Sequence, residues 1–183
     1  NAALADSACR TAFTYFNTLA QQLEVLRPVA ARRFTLDRRH GFDALPLTEF
    51  RVDARRKTLR QAEVYDHVVL NWRLRSGQRL AIVKDFLPDI QQLEARLRQG
   101  GAFVKSDAVR NPDNGKLVEM RYDIEADFHA GVRLTPDHDH GRIGVLVNNV
   151  DGFESLSFEL PAFEVGSARL DELARWLVGQ PHR

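Results

Sequence analysis

The sequence predicts an α+β protein: an antiparallel meander sheet of about six or seven strands, with helices packed on one face and preceded by an N-terminal helix. Three observations predict this class. Apolar and polar residues alternate strictly over residues 118–134, apolar residues recur at three- and four-residue steps over residues 5–26, and turn residues separate several shorter alternating runs. A chain of 183 residues is long enough to bury one sizeable core.

Residues 5–27 are predicted to form a helix, because the segment contains no Gly or Pro before Pro28 and offers Asp6 or Ser7 as a cap. The apolar stripe has the alternating four- and three-residue steps of a heptad, which is typical of a helix that packs against another helix. It comprises Ala5, Cys9, Ala12, Phe16, Leu19, Leu23 and Leu26. We expect association with a second copy of the chain through Phe16, Leu19, Leu23 and Leu26. Docking of the helix on the chain's own sheet is the alternative.

The segments after this helix change to the two-residue period of strands. Residues 50–54 and 68–74 alternate and are predicted strands, and Ser-Gly-Gln at 76–78 is a predicted turn. Pro88 then opens a helix that Gly100 ends.

The second half of the chain is predicted to contain the longest strand. Every even position of residues 118–134 is apolar, and an Asn-Gly turn joins this run to a strand over residues 102–109. Two shorter strands and a last helix follow, at residues 142–147, 155–163 and 167–177. Strands followed by a helix therefore occur twice, which suggests a pseudo-repeat of two units.

We predict three segments: an N-terminal helix over residues 1–28, an Arg-rich connection over residues 29–47 and a single sheet domain over residues 48–183. The opening Asn-Ala at residues 1–2 is typical of what a cleaved expression tag leaves behind. The single cysteine, Cys9, allows no intramolecular disulfide, and no apolar run approaches the roughly 20 residues of a membrane span. A cytoplasmic protein with no membrane partner is therefore expected.

The net charge of +1 hides an asymmetry between the two halves of the chain. Residues 1–110 carry 19 Lys and Arg against 12 Asp and Glu, whereas residues 111–183 carry 7 against 13. The basic residues at which nucleic acid would bind are Arg32, Arg33, Arg38, Arg39, Arg55, Arg56 and Lys57. No aromatic stacking platform is interleaved with them, so solvated surfaces are the favoured interpretation and nucleic-acid binding is the alternative.

The run "LTPDHDHGRIG" at residues 134–144 places two histidines and two aspartates in one turn. The candidate metal ligands are Asp137, His138, Asp139 and His140. A zinc site needs about four ligands in tetrahedral geometry, and no HExxH motif or Cys pair completes this set. An exposed polar hairpin loop, in which Pro, Asp and Gly serve the turn, is the favoured interpretation.

The polar face of the longest strand carries the candidate catalytic residues Asp123, Glu125, Asp127 and His129. They could provide a general acid and a general base, although same-face neighbours on a strand stand about 7 Å apart and a solvated face is favoured. The sequence contains no phosphate-binding glycine loop, no G-x-S-x-G elbow and no C-x-x-C pair. No cofactor is predicted.

Four stretches, "AFTYFNTLAQQLEVLRP", "VVLNWRL", "AGVRL" and "LARWLVGQPHR", resemble conserved bacterial proteins of unknown function. The resemblance implies a bacterial, cytoplasmic origin and supplies no catalytic residues. The sequence therefore predicts a non-enzymatic interaction or scaffold module. The alternative is a small-molecule binder or hydrolase-type enzyme that uses a cleft between sheet and helices or the acidic sheet face.

Overall fold

A computed structural model describes residues 1–102 and 104–180 of the chain. Phe103, in a predicted strand, and residues 181–183, at the end of the last quoted stretch, lie outside the described residues. The elements are α1 (Ala2–Leu26), β1 (Phe34–Thr35), β2 (Gly41–Phe42), β3 (Leu47–Leu59), β4 (Ala62–Lys84), α2 (Leu87–Gly100), β5 (Lys105–Arg110), β6 (Leu117–Asp137), β7 (Arg142–Asn148), β8 (Ser155–Pro161), a 3-10 helix (Ala162–Glu164) and α3 (Ser167–Leu177). The predicted α+β class is confirmed.

The main sheet is antiparallel and has the strand order β3-β4-β6-β7-β8, with β5 pairing with the first half of β6. The two central strands, β4 and β6, pair from Val68 opposite Leu134 to Lys84 opposite Met120. The turn predicted at residues 76–78 is wrong, because β4 continues through it. The residues between Arg75 and Arg79 form a bulge, and the pairing with β6 resumes beyond it.

The long alternating run forms one strand with two different faces. The even positions of β6 are buried from Tyr122 to Leu134, which confirms the predicted core face over these residues, whereas Val118 at the start of the strand is 50% exposed. The register between β4 and β6 runs unbroken through Gly131, which lies opposite Asn71. The space at Gly131 is taken by a neighbour: a Cβ atom there would lie 2.3 Å from Oδ1 of Asn71, so a larger residue would require the Asn71 side chain to move.

Helix α1 lies on the apolar face of its own sheet, in contact with β3, β4 and β6. Phe16, Leu19 and Leu23 are buried there, whereas Leu26 is 70% exposed. The heptad stripe is therefore filled within the chain. Association of two copies through α1 stays a prediction, and it would have to use exposed residues such as Val25 and Leu26.

The Arg-rich connection is more than a polar linker, because three apolar residues of its short β1–β2 hairpin, Phe34, Leu36 and Phe42, are buried. Phe34 and Phe42 are fully buried, and their rings contact those of Phe153 and Phe128 at centroid distances of 5.2 and 5.5 Å. These apolar residues belong to the same core as α1 and the sheet. The hairpin therefore holds its arginines at fixed positions on the surface.

Among the described helices, none combines the length and the apolar character that a membrane crossing requires.

Replacing Phe128 with alanine should lower the free energy of unfolding by about 3 to 5 kcal/mol, because it removes a fully buried ring packed between two others. The matched control is Glu125→Ala. Glu125 lies three residues before Phe128 on the exposed face of the same strand, so its replacement should have little effect. Urea unfolding of both variants measures the difference. Equal losses would contradict a sheet that is covered on one face only.

Candidate functional site

The candidate catalytic residues lie together on the open face of the sheet, but each carboxylate is held by arginines from β4. Asp127 accepts hydrogen bonds from Arg73 at 2.7 and 3.0 Å and from Arg75 at 3.2 Å. Burial by itself raises the pKa of Asp127, but the hydrogen bonds and positive charges of both arginines outweigh it and lower that pKa. Arg79 pairs in the same way with Asp123 at 2.9 Å and Glu125 at 3.6 Å.

His129 stands in the same row and faces the same arginines. Burial lowers the pKa of its imidazole, and the positive charge of Arg73 lowers it further. The open face is thus a ladder of ion pairs between the arginines of β4 and the carboxylates of β6, with His129 beside Arg73. A proton-transfer role for these four residues stays a prediction.

The four candidate metal ligands at residues 137–140 do not converge on one point, because their side chains bind different partners. His138 is buried, and its Nε2–H donates to the carbonyl oxygen of Tyr65 at 2.8 Å. Asp137 pairs with His140, while Asp139 pairs with Arg60. Across residues 1–102 and 104–180, no three His, Cys, Asp or Glu side chains converge as a metal site requires.

The interpretation of this turn as an exposed loop is wrong for His138, because a carbonyl from the distant strand β4 draws that side chain inward. Its Nδ1 is buried without a hydrogen-bond partner among the described residues, so the ring is held by packing and by one bond.

His138→Ala should therefore lower the free energy of unfolding by about 1 to 3 kcal/mol, the range for losing a buried hydrogen bond together with its packing. His140→Ala, in the same turn but with a side chain that is 74% exposed, is the control and should change little. Thermal and urea unfolding compare the two variants. Equal stability of both would show that His138 contributes no more than a surface residue.

An Asp-x-x-His-Gly sequence occurs twice in the chain and forms the same turn both times. Asp37 accepts the backbone N–H of Arg39 and of His40, at 2.8 and 2.7 Å, and contacts Nδ1 of His40 at 2.9 Å. Asp137 makes the equivalent contacts to Asp139 and to His140. The repeat is visible in the sequence, at residues 37–41 and 137–141, and our sequence analysis missed it. The Asp–His pair is thus a device that closes a tight turn.

The first of these turns differs from the second because it borders a cleft. Asp37 also binds Nζ of Lys84 at 2.6 Å, and Lys84 continues the inward-facing row of β4 onto the helix-covered side. Helix α2 forms the opposite wall of a cleft of about 690 Å³. Its lining residues are Thr35, Leu36, Asp37, Arg38, Arg39, Lys84, Asp89, Gln92, Leu93 and Arg96.

The charges in this cleft, which we call the arginine cleft, favour an anion. Burial by itself raises the pKa of Asp37, but hydrogen bonds from Lys84, His40 and two backbone N–H groups hold that pKa well below its usual range. The negative charge of Asp37 is therefore already paired with the positive charge of Lys84. Arg38 and Arg39 have no ion-pair partner within the described ranges, and both are exposed.

Two further residues of α2 complete the electrostatics of the arginine cleft. Arg96 donates a hydrogen bond to the carbonyl oxygen of Thr35, at 3.2 Å. Among the described residues, no carboxylate forms an ion pair with it. Asp89 is the remaining acidic residue of the lining. Four cations thus face two carboxylates, one of which is bound to Lys84, and the cleft carries a surplus of positive charge.

The other basic residues that the sequence singled out lie elsewhere. Arg32 and Arg33 line a neighbouring cleft of about 680 Å³, together with Asp151, and Arg33 pairs with Asp43. The remaining three lie on β3: Arg55, Arg56 and Lys57. The structure therefore divides the predicted basic segments between separate surfaces.

No protein-family model, curated protein or solved structure matches this chain. Fold and site together describe an α+β domain with one open, ion-paired sheet face and a basic cleft beside its small hairpin. Within residues 1–102 and 104–180, the arginine cleft brings together four cations, compared with two in the neighbouring cleft lined by Arg32 and Arg33.

Asp37→Asn should destabilise the protein by about 1 to 2 kcal/mol at neutral pH, because charge-assisted hydrogen bonds are lost at the partly solvated edge of the cleft. Because the pKa of Asp37 is lowered on folding, this contribution is complete above the unfolded-state pKa near 3.8 and is lost as pH falls toward the lowered value. Wild type and variant should therefore differ by the full amount above about pH 5, and the difference should shrink progressively from about pH 4 to pH 2 without vanishing there.

Urea unfolding as a function of pH measures this difference. Asp137→Asn is the matched control. It makes the same change in the second Asp-x-x-His-Gly turn, where the aspartate has no lysine partner among the described residues, and should have a smaller effect. A difference for Asp37→Asn that persists unchanged at pH 2 would contradict the assignment.

Proposed function

We propose that this chain is a non-enzymatic binding module that holds a small anionic molecule, bearing phosphate or carboxylate groups, in the arginine cleft. The observation that carries the proposal is that Arg38, Arg39 and Arg96 line one concave surface whose half-buried Asp37 is already paired with Lys84. Guanidinium groups bind such anions with paired, charge-assisted hydrogen bonds. A volume of about 690 Å³ is in the usual range for a small-molecule site.

The Asp37–His40 pair gives no reason to assign catalysis to this cleft. The same pair recurs at Asp137 and His140, in an exposed hairpin that borders no cleft among the described pockets. This recurrence supports a turn-forming role at both places, and a binding role for the cleft rather than acid–base chemistry. In line with the resemblance to bacterial proteins, the proposal places the module in a bacterial cytoplasm.

The test is calorimetric titration of the purified protein with pyrophosphate and, separately, with citrate. A double variant, Arg38→Ser with Arg39→Ser, should weaken binding of the preferred anion at least about tenfold, which corresponds to about 1.4 kcal/mol. The control is Arg51→Ser with Arg55→Ser, which removes the same charge from the exposed strand β3 and should leave affinity unchanged. The better of the two anions identifies phosphate or carboxylate as the recognised group.

Two results would contradict the proposal. If both double variants weaken binding equally, the anion senses only net charge and not the cleft. If a single-stranded oligonucleotide binds and depends on both arginine pairs, the basic surfaces act together and the nucleic-acid alternative is favoured.

A further inference from the structure

Strand β8 (Ser155–Pro161) ends the sheet and pairs on one side only, with β7. Two backbone hydrogen bonds show which of its residues face the free side. Asn149 N–H donates to Glu154 at 2.9 Å, and Ala162 N–H donates to Gly141 at 2.8 Å, one at each end of the β7–β8 pairing. Since bonded residues alternate along an antiparallel pair, the even-numbered residues bond to β7. The backbone groups that point away from β7 are those of Ser155, Ser157 and Glu159.

Apolar side chains accompany these outward backbone groups. Leu156 is 49% exposed and Phe158 is 40% exposed, although they lie on the helix-covered side of the sheet. Phe158 also borders an apolar groove of about 200 Å³ beside α3, which Leu173 and Trp176 line. The free edge of β8 thus presents both backbone N–H and C=O groups without a strand partner and apolar side chains that are only partly covered. Edges with these two properties add another strand.

The opposite edge of the sheet, β3, is protected. It carries a run of charged residues that discourages edge pairing: Arg51, Asp53, Arg55, Arg56 and Lys57. Between Ser155 and Pro161 the only charged residue is Glu159, and its side chain is bound by Arg142 of β7 at 3.1 Å. The edge strands β3 and β8 therefore differ in the charge that controls strand addition, while the third edge strand, β5, carries Lys105, Asp107 and Arg110.

We infer that β8 pairs antiparallel with β8 of a second copy of this chain, about a two-fold axis at Ser157. In this register Ser155 faces Glu159 of the copy, and Leu156 faces Phe158 of the copy. The carboxylate of Glu159 thus meets a serine and not another carboxylate, and Pro161, which has no N–H, lies beyond the paired residues. This self-complementarity in charge and apolar character is why the occupant is a second copy. The interface is independent of the arginine cleft.

Sedimentation velocity between about 5 and 200 µM protein tests the inference at concentrations where strand-paired dimers of moderate affinity form. Wild type should approach twice its mass of 20.8 kDa. Ser157→Pro removes an outward N–H without removing a bond to β7, so it should give a monomer with an unchanged circular dichroism spectrum. Ser157→Ala, the control, should stay dimeric. A wild type that is monomeric at the highest concentration, or a folded Ser157→Pro variant that is still dimeric, would overturn the inference.

Cysteine crosslinking provides a second readout that does not depend on how well the proline variant folds. Ser157→Cys places two thiols on the two-fold axis, about 5.5 Å apart between Cα atoms, which suits a disulfide. Ser155→Cys lies opposite residue 159 of the copy and should crosslink at least tenfold less. Cys9 is buried and does not compete. Equal crosslinking at both positions, or none at Ser157→Cys, would place the contact elsewhere, for example at α1.

Discussion

The antiparallel pairing of β4 with β6 is the constraint on which the rest of the structure depends. Residues that face each other across this pair lie on the same side of the sheet, so one register creates both the apolar inner layer and the ion-pair ladder outside. A slip by one residue would place the arginines of β4 in the core and its leucines in water. At the centre of the pair Gly131 lies opposite Asn71, and the absence of a side chain at Gly131 leaves room for the Asn71 amide.

The helices and the hairpins are positioned by this central pair. Asn149, which is 1% exposed, donates to the carbonyl oxygens of Gln99 at the end of α2 and of His129 in β6, at 2.9 and 2.7 Å. Its own side-chain oxygen accepts from the backbone of Glu154. One buried amide thus joins α2, β6 and the β7–β8 connection. Because α2 is held there, its Arg96 faces the β1–β2 hairpin and closes the arginine cleft.

The two Asp-x-x-His-Gly turns show how surroundings change what a local motif does. Both use one carboxylate to satisfy the same backbone N–H groups and the histidine ring. Asp37 in addition binds Lys84 from another strand, and its turn lines a cleft whose opposite wall, α2, carries Arg96. A motif that closes a hairpin at residues 137–141 therefore also shapes a charged cleft at residues 37–41.

The sequence by itself determined the period of each segment and hence the inner face of β6, the helix α1 and the antiparallel class, because these depend on side-chain spacing along a few neighbouring residues. Tertiary structure alone decided which polar groups meet. Arg73 and Asp127 lie 54 positions apart, and His138 turns inward because the carbonyl oxygen of Tyr65, 73 positions away, accepts a hydrogen bond from its Nε2–H. The tertiary structure also decided that the heptad stripe of α1 packs on the sheet of the same chain. A helical stripe has the same spacing whichever apolar surface covers it, so the sequence does not distinguish the two cases.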